Sequence, residues 1–261
     1  MKTTEQSLEI ISEIQKQNGA TLKELLGHFD LSRSTLYKHL QTLSEHGYVA
    51  KEGEVYHIGL RFLNHGEYAR SRKQAYTLSN DAIYELADRT NEESEFIVEN
   101  NGRGIVVYQS YHPQSQYEGE EGHGVVNQTT AGTYYNLHSI AAGKAILAEL
   151  PQERVDEIVD CWGLPERTEH TITDRDELYS ELEQVQESGI AFNREEFEHG
   201  LHAVARRVLE PDGSILGAIA INAPAYRLKG STFTDQVPEL LIEIANNLEE
   251  NVKESYIRDA E

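Results

Sequence analysis

Cysteine is nearly missing from this chain. Cys161 is the single one among 261 residues, so no intramolecular disulfide can form and a reducing cytoplasm is the expected setting. No apolar run approaches the roughly 18 residues of a membrane span, and the opening MKTTEQSLEI has no apolar stretch behind a basic start. A soluble protein with no membrane partner is expected. Lysine is scarce too: 9 of the 23 basic residues, against 45 Asp and Glu, for a net charge of −22. That balance excludes a protein that holds nucleic acid by bulk positive charge. Little lysine with surplus carboxylate points to adaptation to high salt, where hydrated acidic surfaces stay in solution.

Catalytic signatures are missing as well. His123, His138, His199, His202 and Cys161 stand in no Ser/His/Asp, Cys/His or HExxH arrangement, and no pair of catalytic carboxylates accompanies them. Lys144 is followed by Ala145 and lacks the glycine spacing of a phosphate-binding loop. The Gly- and Glu-rich loop over residues 113–124, with Tyr117, Glu118, Glu120, Glu121 and His123, matches no calcium-loop spacing. No enzymatic activity, cofactor or metal is expected.

The charge that is present is unevenly placed. Residues 1–66 hold 7 basic and 8 acidic side chains, a net of −1, and residues 67–261 hold 16 and 37, a net of −21. A near-neutral head precedes a strongly acidic body. In the head, Leu8, Ile10, Ile11 and Ile14 give residues 4–17 an apolar helical face, ended by Asn18-Gly19. Thr21 and Glu24 read as a capping box before a short helix marked by Leu22, Leu25 and Leu26. Ser32 reads as the N-cap of a third helix within residues 31–46, with Leu36, Leu40 and Leu43 inward. Arg33, Ser34, Tyr37, Lys38 and Gln41 face outward, and no carboxylate interrupts that face before Glu45.

Residues 48–58 read as a hairpin about a turn at 51–54. Helix, short helix, turn, polar-faced helix and hairpin make a winged helix-turn-helix. In that motif the third helix enters the major groove with its N-terminal residues against base edges. The expected DNA contacts are Ser32, Arg33, Ser34, Thr35, Tyr37, Lys38 and His39, with Lys51 of the wing set against phosphate. Double-stranded DNA is the expected partner.

The expected division is a head over residues 1–62, a linker helix over 63–90 and an α+β body over 91–261. Arg70, Arg72 and Lys73 cluster in the linker and are expected to pair with acidic side chains. Residues 95–99 and 104–111 read as a strand hairpin about Asn100-Asn-Gly102. Ala141-Ala-Gly143 opens a helix through small residues, which suits an anion at backbone amides or close packing against a sheet equally well. Helices over 151–160 and 174–188, strands over 190–193, 201–209 and 215–222, and a closing helix over 240–257 complete the body.

The head, the HSIAAGKA stretch at 138–145 and the GIAFNREEFEHGL stretch at 189–201 together resemble the IclR family of transcriptional regulators, along nearly the whole chain. The Pro211-Asp-Gly213 turn and an Ala-rich strand ending at Asn222-Ala-Pro224 follow in the family's order. The resemblance implies a winged-helix head, a linker helix and a GAF-like effector-binding and oligomerising domain, and with the acidic composition a halophilic archaeal source. It implies homodimers or homotetramers on operators, and effectors that are organic acids or aromatic compounds. It also implies a pocket lined by Ala141, Ala142, Asn193, Ala203, Ala220 and Asn222. Members that bind small keto acids place an Asp, a Cys and two Ser at the last four of these positions. Asn, Ala, Ala and Asn here suit a larger or less charged ligand. Arg207 stands where a proline is common, and strand alternation lets at most one of Arg206 and Arg207 face inward. The expected function is ligand-responsive control of a metabolic operon from a pseudo-palindromic site. The alternative is a constitutive architectural binder whose body only oligomerises.

Overall fold

Ile10 and Ile14, one helical turn apart on α1 (Lys2–Lys16), are fully buried and anchor the first core. The computed structural model describes residues 2–111 and 130–258. It divides into a unit over residues 1–72 and a unit over 73–261. The acidic-loop residues Tyr117, Glu118, Glu120, Glu121 and His123 lie outside the described residues.

In the first unit, β1 (Ala20–Thr21) leads into α2 (Leu22–His28), and α3 spans Arg33–Glu45. The capping box forms as read: Glu24 N–H donates to Thr21 Oγ1 at 3.3 Å, and Thr21 N–H donates to Glu24 Oε2 at 2.8 Å. Ser32 caps α3, its Oγ accepting from Thr35 N–H at 3.1 Å. Leu25, Leu36 and Leu40 close on Ile10 and Ile14, with Val49 of β2 (Val49–Glu52) and Tyr56 of β3 (Val55–Ile58). The strands form a sheet in the order β1-β3-β2, and Gly53 takes φ 62° at the β2–β3 turn. This is the expected winged helix-turn-helix. The buried face of α1 is rotated from the expected one, because Leu8 is 59% exposed and Ile11 only half-buried.

The single linker helix is two helices. α4 (Arg61–Ser71) buries no residue and belongs to the first unit, whereas α5 (Gln74–Thr90) buries Ala75, Ser79, Ile83, Leu86 and Ala87 in the second. The chain breaks where Lys73 is extended, at φ −106° and ψ 123°. Lys73 there lies 3.5 Å from Glu210, and Arg70 pairs with Glu67. After the break, Ala75, Ile83, Leu86 and Ala87 lie on the side of α5 that packs into the core of the second unit.

The second unit is a six-stranded antiparallel sheet in the order β6-β5-β4-β9-β8-β7. Its strands are β4 (Glu93–Asn100), β5 (Arg103–Ser110), β6 (Tyr134–Tyr135), β7 (Ile190–Arg194), β8 (Leu201–Leu209) and β9 (Ile215–Pro224). Strand alternation sorts side chains by size. Phe96, Val204, Val208, Ile219 and Ile221 pack with α5 and with α9 (Val237–Arg258). Ala191, Ala203, Ala205, Ala218 and Ala220 point to the opposite face, under α6 (Ala141–Leu147), α7 (Gln152–Trp162) and α8 (Arg175–Ser188). Alanines on one face leave room that branched side chains fill on the other.

α6 sits tightly on the short helical turn Leu137–Ser139 before it. A Cβ at Gly143 would fall 2.0 Å from the Leu137 carbonyl oxygen, whereas Gly27 in α2 faces open space. Gly143→Ala is expected to lower stability by about 2–3 kcal/mol through overpacking. Gly27→Ala is expected to raise it by up to about 1 kcal/mol. Urea unfolding of the two variants checks this, and an unchanged midpoint for Gly143→Ala contradicts the close approach.

Candidate functional sites

The first candidate site is the outer face of α3. Ser32, Arg33, Ser34, Lys38 and Tyr37 are exposed, Tyr37 at 51%. The Ser32 hydroxyl also shares hydrogen bonds with Ser34 Oγ at 2.9 Å and Thr35 Oγ1 at 2.8 Å. Thr35 is half-buried, so the cap uses its hydroxyl. The first turn contains no acidic residue. His39 departs from the expected outward placement. It is buried beside Leu36 and Leu40, and its Nδ1 lies 2.8 Å from Ser7 Oγ of α1. Three residues after Leu36, position 39 faces the core, and the imidazole fastens α3 to α1. Lys51 is exposed in the wing, 3.7 Å from Glu54 and 5.5 Å from the Tyr56 ring centroid.

The second candidate site is a cavity of ≈ 430 Å³ in the second unit. Ala141, Ala142, Asn193, Ala203, Ala220 and Asn222 all line it. Sheet register brings them together. Glu93 pairs with Asn222, Asn222 with Ala203, and Ala203 with Asn193, a row across four strands. The next row holds Glu95, Ala220 and Ala205. Ala141 and Ala142 roof the cavity from the start of α6.

Asn193 is 1% exposed and structural as well as lining: its Nδ2 donates to Ser139 O at 2.8 Å, and its Oδ1 accepts from Glu196 N–H at 3.1 Å. Asn222 Nδ2 donates to Glu95 Oε2 at 3.0 Å. The Tyr111 hydroxyl donates to Glu93, and burial first, then the Glu93 and Glu95 charges, hold its pKa well above the ordinary phenol value. Sequence reasoning missed Glu93 and Glu95. The signal is present, since Glu93, Glu95 and Ile97 alternate on one face of β4, but the strand-like run in the sequence begins only at Glu95.

Arg206 and Arg207 both point elsewhere. Arg206 Nη1 lies 3.4 Å from Ser188 O, and Arg207 pairs with Glu149 at 2.9 Å. The histidines and Cys161 hold separate local positions. His138 is buried, donates from Nε2 to Pro165 O at 3.2 Å, and has its pKa lowered by burial. His202 Nδ1 donates to Leu228 O at 2.8 Å, exposed His199 lies 3.3 Å from Glu169, and Cys161 is exposed. Among the described residues no cluster of His, Cys, Asp and Glu is arranged to hold a metal ion. No helix there is long and apolar enough to cross a membrane.

One buried ion pair fixes the cavity wall. Lys144 of α6 is 1% exposed. Its Nζ donates to both Glu196 carboxylate oxygens, at 2.9 and 2.8 Å, and to Glu181 of α8 at 2.8 Å. Burial pushes the Glu196 carboxyl above its ordinary value against the opposing pull of Lys144. The Thr171 and Thr168 hydroxyls donate to the Glu196 and Glu195 carbonyls, each at 2.6 Å. Lys144 and the turn after β7 are thereby locked together.

A winged helix-turn-helix unit joined to a curled-sheet unit defines a DNA-binding transcriptional regulator with an effector domain. The comparisons agree. A family described as bacterial transcriptional regulator IclR C-terminal matches residues 69–250, and the IclR helix-turn-helix domain matches residues 3–53. The probable HTH-type transcriptional regulator ArcR of Halobacterium salinarum is 32% identical over 244 residues, covering 93% of this chain and 90% of that protein. The HTH-type transcriptional repressor AllR of Salmonella paratyphi A is 26% identical over 236 residues, covering 89% and 83%. The crystal structure of the Thermotoga maritima IclR shares the fold, with a TM-score of 0.76 and 24% identity over 97% of this chain and 99% of that one. The chain belongs to the IclR family of transcriptional regulators.

Lys144→Met is expected to lower stability by about 3–5 kcal/mol, because it leaves a buried carboxylate without its cation. Adding Glu196→Gln should restore part of that loss. Urea denaturation of both variants reads the effect, and an additive double variant contradicts the coupling.

Proposed function

We propose that the chain reads a pseudo-palindromic operator as a dimer or dimer of dimers, and that a small molecule in the body cavity shifts its affinity for that operator. The observation that carries the DNA reading is the outer face of α3. In a chain of net charge −22, the first turn of this helix has no acidic residue, and its outer face exposes Arg33 and Lys38. Ser32, Ser34 and Tyr37 add uncharged hydrogen-bonding groups suited to base edges.

Two-fold symmetry of the protein would be matched by two half-sites about one or more helical turns apart. α4 supports assembly. It buries no side chain, and Leu60, Leu63 and Tyr68 are exposed at 85, 63 and 71%. Such an apolar face is costly to leave in water and suits a second copy. The cavity supports ligand control, because its alanine lining leaves ≈ 430 Å³ open. A ligand shifts the DNA-binding equilibrium by its difference in affinity for the competent and incompetent states. The low lysine content and acidic body fit work in a salt-rich cytoplasm.

Arg33→Ala with Lys38→Ala is expected to weaken binding to the chain's own promoter region by about ten-fold or more, on contacts of roughly 1–3 kcal/mol each. Lys253→Ala, remote in sequence on α9, should leave binding unchanged. Fluorescence anisotropy in high-salt buffer measures both. Unaltered affinity of the double variant rules out α3 as the reading helix.

A further inference from the structure

The tip of the wing carries the wrong charge for a phosphate contact. Its turn, Lys51-Glu52-Gly53-Glu54, holds two carboxylates and one cation. The hairpin is fastened to α3 at its base, where Tyr48 N–H donates to the Leu43 carbonyl at 2.9 Å. Four residues of β2 then lead to the turn. An α3 seated in the major groove therefore carries this tip toward the flanking backbone.

Strand register decides which charge faces outward. Lys51 pairs across the hairpin with Tyr56, and Glu52 with Val55. Val49, Lys51 and Tyr56 share one face, and the burial of Val49 and Tyr56 marks it as the face turned to the core. Lys51 Nζ lies on that side, 5.5 Å from the Tyr56 ring centroid and 3.7 Å from Glu54. Glu52 alternates to the opposite face. It is exposed, and among the described residues it has no hydrogen bond or ion pair. Glu54, in the turn itself, has a side chain 90% exposed. Glu45, at the far end of α3, is by contrast engaged, accepting from Gln41 Nε2 at 2.8 Å.

On the reading of α3 as the DNA-binding helix, we propose that the wing is a repulsive element: Glu52 and Glu54 oppose the phosphate backbone and flatten the salt dependence of DNA binding. Counterions screen attraction and repulsion alike. As salt rises, Arg33 and Lys38 lose attraction to phosphate, and the wing carboxylates lose their penalty over the same range. The two changes have opposite signs and partly cancel. Lys51, expected against phosphate, stands beside Glu54 and does not outweigh two carboxylates. Phosphate contacts carry no sequence information, so the offset acts on any duplex alike and leaves discrimination to the base-facing groups of α3.

Fluorescence anisotropy with the promoter duplex and a scrambled duplex of equal length tests this. The series runs from the lowest potassium chloride concentration at which a thermal melt shows a folded chain up to molar. Glu52→Gln with Glu54→Gln is expected to tighten binding to both duplexes by about three-fold or more at the low-salt end. At molar salt, where the Debye length falls to about 3 Å, it should match the parent chain. Glu52→Lys with Glu54→Lys should steepen the decline further, by up to about 0.9 in log–log slope for each phosphate met. Glu183→Gln with Glu187→Gln, which removes the same charge from exposed positions on α8, should leave both affinities unchanged.

Unchanged binding of the wing Gln pair overturns the repulsion. Weaker binding overturns it too, and makes the carboxylates contact groups, through cytosine amino groups or a bridging cation. A gain that persists at molar salt, that is confined to the promoter, or that the α8 pair matches removes the electrostatic role of the wing. In all these cases the reading of α3 stands as long as Arg33→Ala with Lys38→Ala weakens binding. If that double variant changes nothing, or if the parent chain binds neither duplex, the reading of α3 fails together with the wing.

Discussion

A chain with 45 acidic and 23 basic residues must place its negative charge, and that placement constrains everything else in this structure. Carboxylates repel one another and lose hydration when buried, so each site where they gather or are absent needs a cause. Three places stand out. The outer face of α3 is clear of them in its first turn. At Lys144 one buried cation gathers two of them, Glu181 and Glu196. At β4 two of them line the cavity. The Lys144 cluster has the widest structural reach, since α6, α8 and the turn after β7 meet at one nitrogen.

That junction explains why a cavity exists beside it. Gly143 lets α6 descend onto the turn at Leu137, which sets Ala141 and Ala142 over the sheet. Asn193 spends its amide on Ser139 and Glu196, which holds the far wall. The sheet beneath presents alanines at Ala203, Ala205 and Ala220. A helix held at fixed height over small side chains cannot collapse onto them, and the space persists. Fixed walls also give a ligand something to bias, because packed elements switch between discrete arrangements rather than yield gradually.

Local signals in the sequence proved the most readable. The capping box at Thr21 and Glu24, the Ser32 cap and the hairpin turn at Asn101-Gly102 each rest on a few neighbouring residues with specific backbone needs. The cavity residues were readable through family resemblance, and sheet register then accounts for their meeting. What was hidden depends on rotation and termination. Leu8 and Ile10 are both apolar, and only packing against Leu25, Leu36 and Leu40 decides which turns inward. His39 looked like a donor on a polar face, yet the 3.6-residue period sets it beside Leu36 and Leu40. The break at Lys73 has no proline or glycine to announce it. Glu93 lies before the strand-like run that begins at Glu95, and only the sheet register, with Asn222 opposite Glu93, sets both carboxylates at the cavity.

A near-neutral head on an acidic body implies DNA recognition that depends on matched contacts more than on phosphate neutralisation. Proteins that neutralise about 6–10 phosphates lose roughly 10³–10⁵ in affinity between 50 and 200 mM salt. Few cations are available here: the head holds 7 basic residues against 8 acidic ones. The most direct measurement is the affinity of the full chain for its own promoter duplex and for a scrambled duplex across a potassium chloride series up to molar concentration. A shallow decline, with preference for the promoter kept at molar salt, is the predicted result. A steep decline that brings the promoter down to the scrambled duplex would contradict the account.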